Sequence, residues 1–308
     1  MHRKARATVR DIKTLKIQGA RNVARSAVEA LMAAAKDSKA KSGAAFRKEL
    51  SMTAKALAKS RPTEPMMRNL LDEALHFAGE KAGVRSVAEL KRAFLAHENM
   101  ILSEVEDSAK RLAKYGAGLI PRDALVITHC HSSSVTRSLI QARKMRKRFS
   151  VVCFETRPRY QGRITAAELA KAGIDVTIAV DGAMQLFMKK ADIVLVGADS
   201  VTSGGDLINK IGTSALAHIA RMEDTPFYSC AELFKYSPKT MFGERERIEQ
   251  RDPKEVWERP PRRVKIANPA FEVTSAKYLS GYVTDLGVIP PQSFFSMASR
   301  KLGIKLYE

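Results

Sequence analysis

The chain has 308 residues, 45% of them hydrophobic, which suits one large or two ordinary globular domains and excludes a disordered or fibrous protein. Its 53 Lys and Arg against 33 Asp and Glu give a formal charge of +20, which asks for an acidic partner. The excess is spread out, with 24 basic and 13 acidic side chains in residues 1–120 and 29 and 20 in the remainder. Nucleic acid is therefore not the expected partner, and a diffuse field that draws in a highly anionic small molecule explains the charge.

From Ala7 to about Ala117 the spacing of apolar residues predicts helices and no strand, at 22–36, 44–59, 66–82 and 87–114. Pro62, Pro65 and the Gly116/Gly118 pair punctuate them. The basic N-terminus, MHRKARATVRDIKTLKIQGA, carries no apolar signal core, and no apolar run approaches the roughly 18 residues needed to span a bilayer. A cytoplasmic protein without membrane contact is expected. After Pro121 short apolar runs at 124–128, 151–155, 176–180, 193–196 and 227–230 alternate with helical patterns at about 134–146, 164–172, 182–190 and 208–222. Alternation of this kind predicts an α/β fold: an all-helical N-terminal domain, 1–118, followed by a Rossmann-like parallel-sheet domain, 119–308. No GxGxxG is present, so no dinucleotide is implied.

The carboxyl ends of the predicted strands all run into polar or charged residues: THCHSSS at 128–134, ETRP at 155–158, Asp181-Gly182, Gly197-Ala198-Asp199 and AELFK at 231–235. That edge is where ligands sit in open α/β sheets. Asp199 follows a buried strand, Gly204 and Gly205 supply a tight turn, and Asn209 and Lys210 are expected in the first turns of the next helix, where free N–H groups favour an anion. Asp199 and the Gly pair also fit an ordinary turn. Cys130 reads either as a thiolate favoured by a helix start and nearby cations or as a small buried hydrophobe. Cys153 and Cys230 read as core, and three scattered cysteines imply neither a disulfide scaffold nor a zinc site. His129 and His131 flank Cys130 without a third ligand, so no metal is expected. Arg157 and Arg159 suit either a phosphate or a salt bridge. Gln18-Gly19-Ala20-Arg21 and Ser60-Arg61-Pro62-Thr63 resemble phosphate-cradling turns.

THCHSSSVTRSL, FETRPRYQGRITAAELAKAGI, VGADSVTSGGDLINKIGTSALA, AELFKYSP and NPAFEVTSAKYLSGYVTDLGVIPP, with SRPT upstream, resemble a superfamily along nearly the whole chain. It contains archaeal ribose 1,5-bisphosphate isomerase, methylthioribose-1-phosphate isomerase and the regulatory α, β and δ subunits of the guanine-nucleotide exchange factor of eukaryotic translation initiation. AELFKYSP and NPAFEVTS look most like the bisphosphate enzyme. The resemblance implies isomerisation of α-D-ribose 1,5-bisphosphate to ribulose 1,5-bisphosphate through an enol phosphate, in AMP salvage. Asp199 would act as acid at the ring oxygen and the Cys130 thiolate as base at C2. Gly19, Ala20, Arg21, Arg61, Ser133, Ser134, Asn209, Lys210 and Lys235 would hold the phosphorylated sugar. No metal or organic cofactor is implied; a homodimer or homohexamer, and AMP as an activator, are. Gln18 stands where the family turn commonly has Arg, and His131 where the isomerase commonly has Asn or Asp. The resemblance thus leaves two alternatives: a non-catalytic subunit that binds a sugar phosphate or nucleotide, or methylthioribose-1-phosphate isomerase.

Overall fold

The computed structural model describes residues 1–80 and 86–304, and these divide into two compact units, Met1–Asp107 with 302–304, and Ser108–Lys301. The division falls inside the long helix α5 (Val87–Leu119). No described helix is long and apolar enough to cross a membrane.

The first unit is helical throughout: α1 (Arg3–Lys13), α2 (Ala20–Asp37), α3 (Gly43–Ala58), α4 (Pro65–Glu80) and the first part of α5. Lys81 and Ala82 of the predicted 66–82 helix lie outside the described residues. In α2, Val23, Ala24, Ala27, Val28 and Leu31 recur at helical spacing and are fully buried, because α2 packs against α1, α3 and α4 at once. Phe46 of α3 meets Phe94 of α5 edge to face at 6.2 Å, which joins the remaining apolar stripes.

The second unit is built on a seven-stranded sheet in the order β10-β9-β7-β4-β1-β2-β3. The strands are β1 (Ala124–His129), β2 (Phe149–Phe154), β3 (Asp175–Ala179), β4 (Ile193–Gly197), β7 (Phe227–Cys230), β9 (Gly281–Thr284) and β10 (Gly287–Ile289), all parallel except β10. Between them run α6 (Ser133–Lys144), α7 (Gln161–Lys171), α8 (Met184–Met188) and α9 (Thr213–Met222), and α10 (Phe294–Leu302) follows. Alternate strand residues face opposite ways, so Val126, Val151, Cys153, Leu195 and Cys230 pack on α5, α6 and α7 in one cluster. Ile127, Val152, Phe154, Val194 and Val196 are buried as well. A sheet covered on both faces explains why the central strands read as continuous apolar runs. The edge strand β3 departs from that pattern, with Asp175, Thr177 and Ile178 exposed.

The structure corrects the helix expected at 208–222. Residues Leu207–Lys210 form β6, the middle strand of a small antiparallel sheet with β5 (Ser200–Val201) and β8 (Phe271–Thr274), and α9 begins only at Thr213. Backbone pairing with β8, some sixty residues away in sequence, decides the conformation of β6.

Candidate active site

Five segments deliver polar groups to the carboxyl edge of the large sheet. Gly197 ends β4, and a Cβ there would stand 2.6 Å from both Cβ and Oγ of Ser132. Only glycine lets the N-cap of α6 approach so closely, which brings Ser133 and Ser134, the first residues of α6, to the strand end that precedes Asp199. The Asp199 N–H donates to the Ile208 carbonyl at 3.0 Å and so ties the Asp199 turn to β6. Asn209 and Lys210 therefore reach the edge from a strand, not from the helix start expected of them. Asn209 donates to the Thr213 hydroxyl at 3.1 Å, and the Lys210 ammonium lies 5.0 Å from the centre of the Phe271 ring. Glu272, opposite Asn209 on β8, accepts the Gly212 and Ser214 N–H groups at 2.6 and 2.9 Å and occupies the positive end of α9.

Cys130 follows β1 with a φ of 66°, an uncommon conformation for a residue with a side chain. Two threonines hold it. Its N–H donates to Thr156 Oγ1 and its carbonyl accepts from Thr165 Oγ1, each at 2.9 Å. Asp181 in turn accepts the Thr156 and Arg157 N–H groups at 2.8 Å. Sequence reading placed Thr156, Thr165 and Asp181 at strand ends or in a helix without a role, because their partners are distant in sequence.

Burial pushes the Cys130 thiol up to about 11, while the Lys210 ammonium and a hydrogen bond from the His131 N–H pull it down and the carboxylates of Asp199 and Asp181 push it up. Burial thus opposes the thiolate expected from the helix start, while the Lys210 ammonium favours it. The same influences show that Lys210, Asp199 and Asp181 all lie close enough to Cys130 for their charges to act on its sulfur. Cys153 and Cys230 are fully buried, and burial drives both thiols up to about 12, as core residues should be.

The two histidines beside Cys130 have separate partners. His129 is buried, and its Nε2 meets the Ile211 carbonyl at 2.9 Å; since a carbonyl only accepts, Nε2 carries the proton. Burial lowers its pKa and keeps it neutral. His131 meets the Thr165 hydroxyl at 3.1 Å, and burial lowers its pKa as well.

Lys235 lies in the turn after β7. It is buried and pairs with the fully buried Glu232 at 3.2 Å, and Glu232 also accepts from Ser134 at 3.2 Å. Ser134 and Lys235 are thereby linked through a carboxylate that sequence reading passed over. An ammonium group has three donors, so the pair with Glu232 leaves Lys235 able to bind an anion. Of the two uncertain arginines, Arg159 is engaged with Glu255 at 2.7 Å, and Arg157 donates to the Tyr160 hydroxyl and the Val256 carbonyl.

The helical unit holds the other predicted residues. Gly19 caps α2 with a φ of 81°, a conformation that favours glycine, and Ala20 and Arg21 form the first turn of that 18-residue helix. Its N-terminal N–H groups suit an anion. Arg21 and Arg61 are both buried, and Arg61 pairs with the buried Glu64 at 3.2 Å.

Among the described residues, one group, Glu73, His97 and Glu98, brings three metal-ligand side chains within 4.8 Å. His97 meets Glu73 through Nε2 and Glu98 through Nδ1, both at 3.1 Å, so the imidazole bridges two carboxylates through its two different nitrogens.

The model of the initiation factor 2 subunit family matches residues 16–291. A protein named ribose 1,5-bisphosphate isomerase from Archaeoglobus fulgidus is 36% identical over 294 residues, covering 95% of this chain and 91% of that protein. One named methylthioribose-1-phosphate isomerase, from Pelotomaculum thermopropionicum, is 36% identical over 300 residues, covering 91% and 81%. Among solved structures, the translation initiation factor eIF-2B of Pyrococcus horikoshii superposes with a TM-score of 0.82 at 28% identity, covering 94% of this chain and 98% of the other. Matched over most of its length by the family model, the chain belongs to the initiation factor 2 subunit family.

Proposed function

We propose that the protein is an aldose-ketose isomerase that converts α-D-ribose 1,5-bisphosphate to ribulose 1,5-bisphosphate. The observation that carries this reading is that the charges of Asp199 and Lys210 both act on the Cys130 sulfur at one sheet edge, a candidate acid and a cation beside a candidate base. A regulatory subunit that only binds a ligand has no need of a thiol and a carboxylate so placed.

Phosphorylation of the C1 oxygen blocks ordinary hemiacetal opening. Once the proton has passed from the Cys130 thiol to the Asp199 carboxylate in the substrate complex, Asp199 gives it to the ring oxygen as the C1–O bond breaks, and the Cys130 thiolate removes the proton from C2 to leave the enol phosphate. Return of the Cys130 proton to C1, with transfer of the C2 hydroxyl proton to Asp199, gives the ketose and restores both groups. Lys210 is the cation that favours the thiolate, which makes it part of the base as well as an anion ligand. Ser133, Ser134 and Asn209 are assigned to phosphate and hydroxyl contacts, and Lys235 to the 5-phosphate that methylthioribose 1-phosphate lacks. Gly19, Ala20, Arg21 and Arg61 are assigned as phosphate ligands from their motifs and the α2 N-terminus. The relatives named for the bisphosphate reaction support this choice of substrate. A cytoplasmic homodimer or homohexamer, with AMP as activator, completes the reading; light scattering and an AMP titration of the rate test those two points.

The deciding experiment supplies ribose 1,5-bisphosphate and follows ribulose 1,5-bisphosphate. Turnover that falls about 10²- to 10⁴-fold in both Cys130→Ser and Asp199→Asn supports the assignment. Turnover of 5-methylthioribose 1-phosphate alone would overturn the substrate, and binding without turnover of either sugar would make the protein a regulatory subunit.

A further inference from the structure

The proposed phosphate ligand Lys235 sits in a turn anchored by a residue just past the end of the neighbouring strand. β9 runs parallel to β7, with Cys230 opposite Val283, and the Ala231 N–H donates to the Val283 carbonyl at 2.9 Å. Asp285, just beyond β9, thereby stands beside the turn that leaves β7. Its carboxylate is fully buried, and Oδ1 accepts the Leu233 N–H at 3.1 Å. Leu233 opens the short helical turn Leu233–Lys235, in which the Lys235 N–H donates back to the Glu232 carbonyl at 2.9 Å.

The other oxygen of Asp285 is held in place. Oδ2 accepts from the Lys301 ammonium and from Ser108 Oγ at 3.3 Å, and the Arg111 guanidinium lies 3.8 Å away. Arg111 also donates to the Asp285 backbone carbonyl at 3.3 Å, and Lys301 to Ser108 at 2.8 Å. The same Lys301 ammonium stands 4.7 Å from the centre of the Phe234 ring, inside the turn itself. A buried carboxylate with this many donors is costly to assemble if it serves packing alone, since an apolar group of similar size would fill the space.

We infer that Asp285 is a positioning residue for Lys235, acting through the Leu233 N–H, and that it determines preference for a sugar carrying a second phosphate. The inference rests on the isomerase reading above. The hydrogen bonds and ion pairs of Asp285 among the described residues run to Leu233, Ser108, Arg111 and Lys301. Asp285 acts on the turn, and the turn carries Lys235 and the Glu232 that links it to Ser134. Removing the acceptor frees the turn, whereas Asp285→Asn keeps a carbonyl oxygen for Leu233 while losing the charge shared with Lys301 and Arg111.

The test compares binding of ribose 1,5-bisphosphate and ribose 1-phosphate by calorimetry in the wild type, Asp285→Ala and Asp285→Asn, with turnover measured alongside. The expected result is a loss of bisphosphate preference of about tenfold or more in Asp285→Ala, with ribose 1-phosphate binding unchanged and the preference largely restored in Asp285→Asn. Thermal melts will fall in both variants whatever the role, so the preference is the deciding quantity. A preference unmoved in folded Asp285→Ala overturns the inference, as does an equal loss for both sugars. If Asp285→Ala does not fold, Asp285→Asn decides through KM: a bisphosphate KM within about threefold of wild type supports a role through Leu233, and a rise of about tenfold or more contradicts it. A wild type that turns over the bisphosphate while the preference stays fixed sinks only this inference; one that neither binds nor turns it over removes the isomerase reading as well.

Discussion

The Thr156 hydroxyl accepts the Cys130 N–H at 2.9 Å, joining the ends of two adjacent parallel strands beside the candidate base. Thr156 is itself fully buried, and its hydroxyl donates to the Phe154 carbonyl at 3.1 Å. This bond helps hold Cys130 at its unusual φ. Thr156→Val preserves shape but leaves the Cys130 N–H without that acceptor. Stability should fall by about 1–3 kcal/mol in urea titrations, with a loss of turnover to match. An unchanged rate in a destabilised protein would show that the conformation of Cys130 is held by other means.

Cys130 should behave as a protonated thiol. Because burial pushes it up to about 11, the rate of alkylation by iodoacetamide should climb about tenfold per pH unit between pH 7 and 9. Lys210→Met removes the ammonium that pulls the thiol down and should slow the reaction at every pH in that range. Mass spectrometry of the Cys130 peptide reads both effects. A plateau beginning near neutral pH would mean that the helix start, not burial, governs the sulfur.

Gly197 and Ser132 form a tight steric pair. Gly197→Ala should cost about 1–3 kcal/mol, since its Cβ would stand 2.6 Å from Ser132 Cβ. Ser132 makes no side-chain capping bond to α6, so Ser132→Gly alone should cost only a few tenths of a kcal/mol. The double variant should recover more than half of the loss in a thermal-melt cycle. Additive losses would contradict the contact.

Lys235 and Glu232 are a buried pair. Lys235→Met should lower stability by about 3–5 kcal/mol, and Glu232→Gln in the same chain should restore part of it. Affinity for the bisphosphate should stay low in both. Restored affinity in the double variant would remove Lys235 from the list of phosphate ligands.

Much of the fold is legible in sequence because its signals are local. The spacing in 22–36 is that of a helix buried on several sides, and the five apolar runs after Pro121 correspond to β1, β2, β3, β4 and β7 in chain order. The strands β8, β9 and β10 were not among the predicted runs. They are three or four residues long, and the first belongs to a sheet whose strands come from 200–201, 207–210 and 271–274. A segment such as Leu207–Lys210, after two glycines and before an alanine-rich run, reads locally as a helix entrance, and only its partner strand says otherwise.

Polar residues after each strand, Cys130 and Asp199 at two of those ends, and the family motifs along the chain are all readable from the order of residues. These are properties of adjacent residues and of periodicity, which need no partner. Only the folded chain shows that Lys210 arrives on a strand, that Glu232 pairs with Lys235, that Asp285 accepts a hydrogen bond from the turn carrying both, and that burial raises the Cys130 thiol. Each depends on burial or on a partner far away in the chain, and desolvation of the sulfur outweighs the local pull of a helix start and a nearby cation.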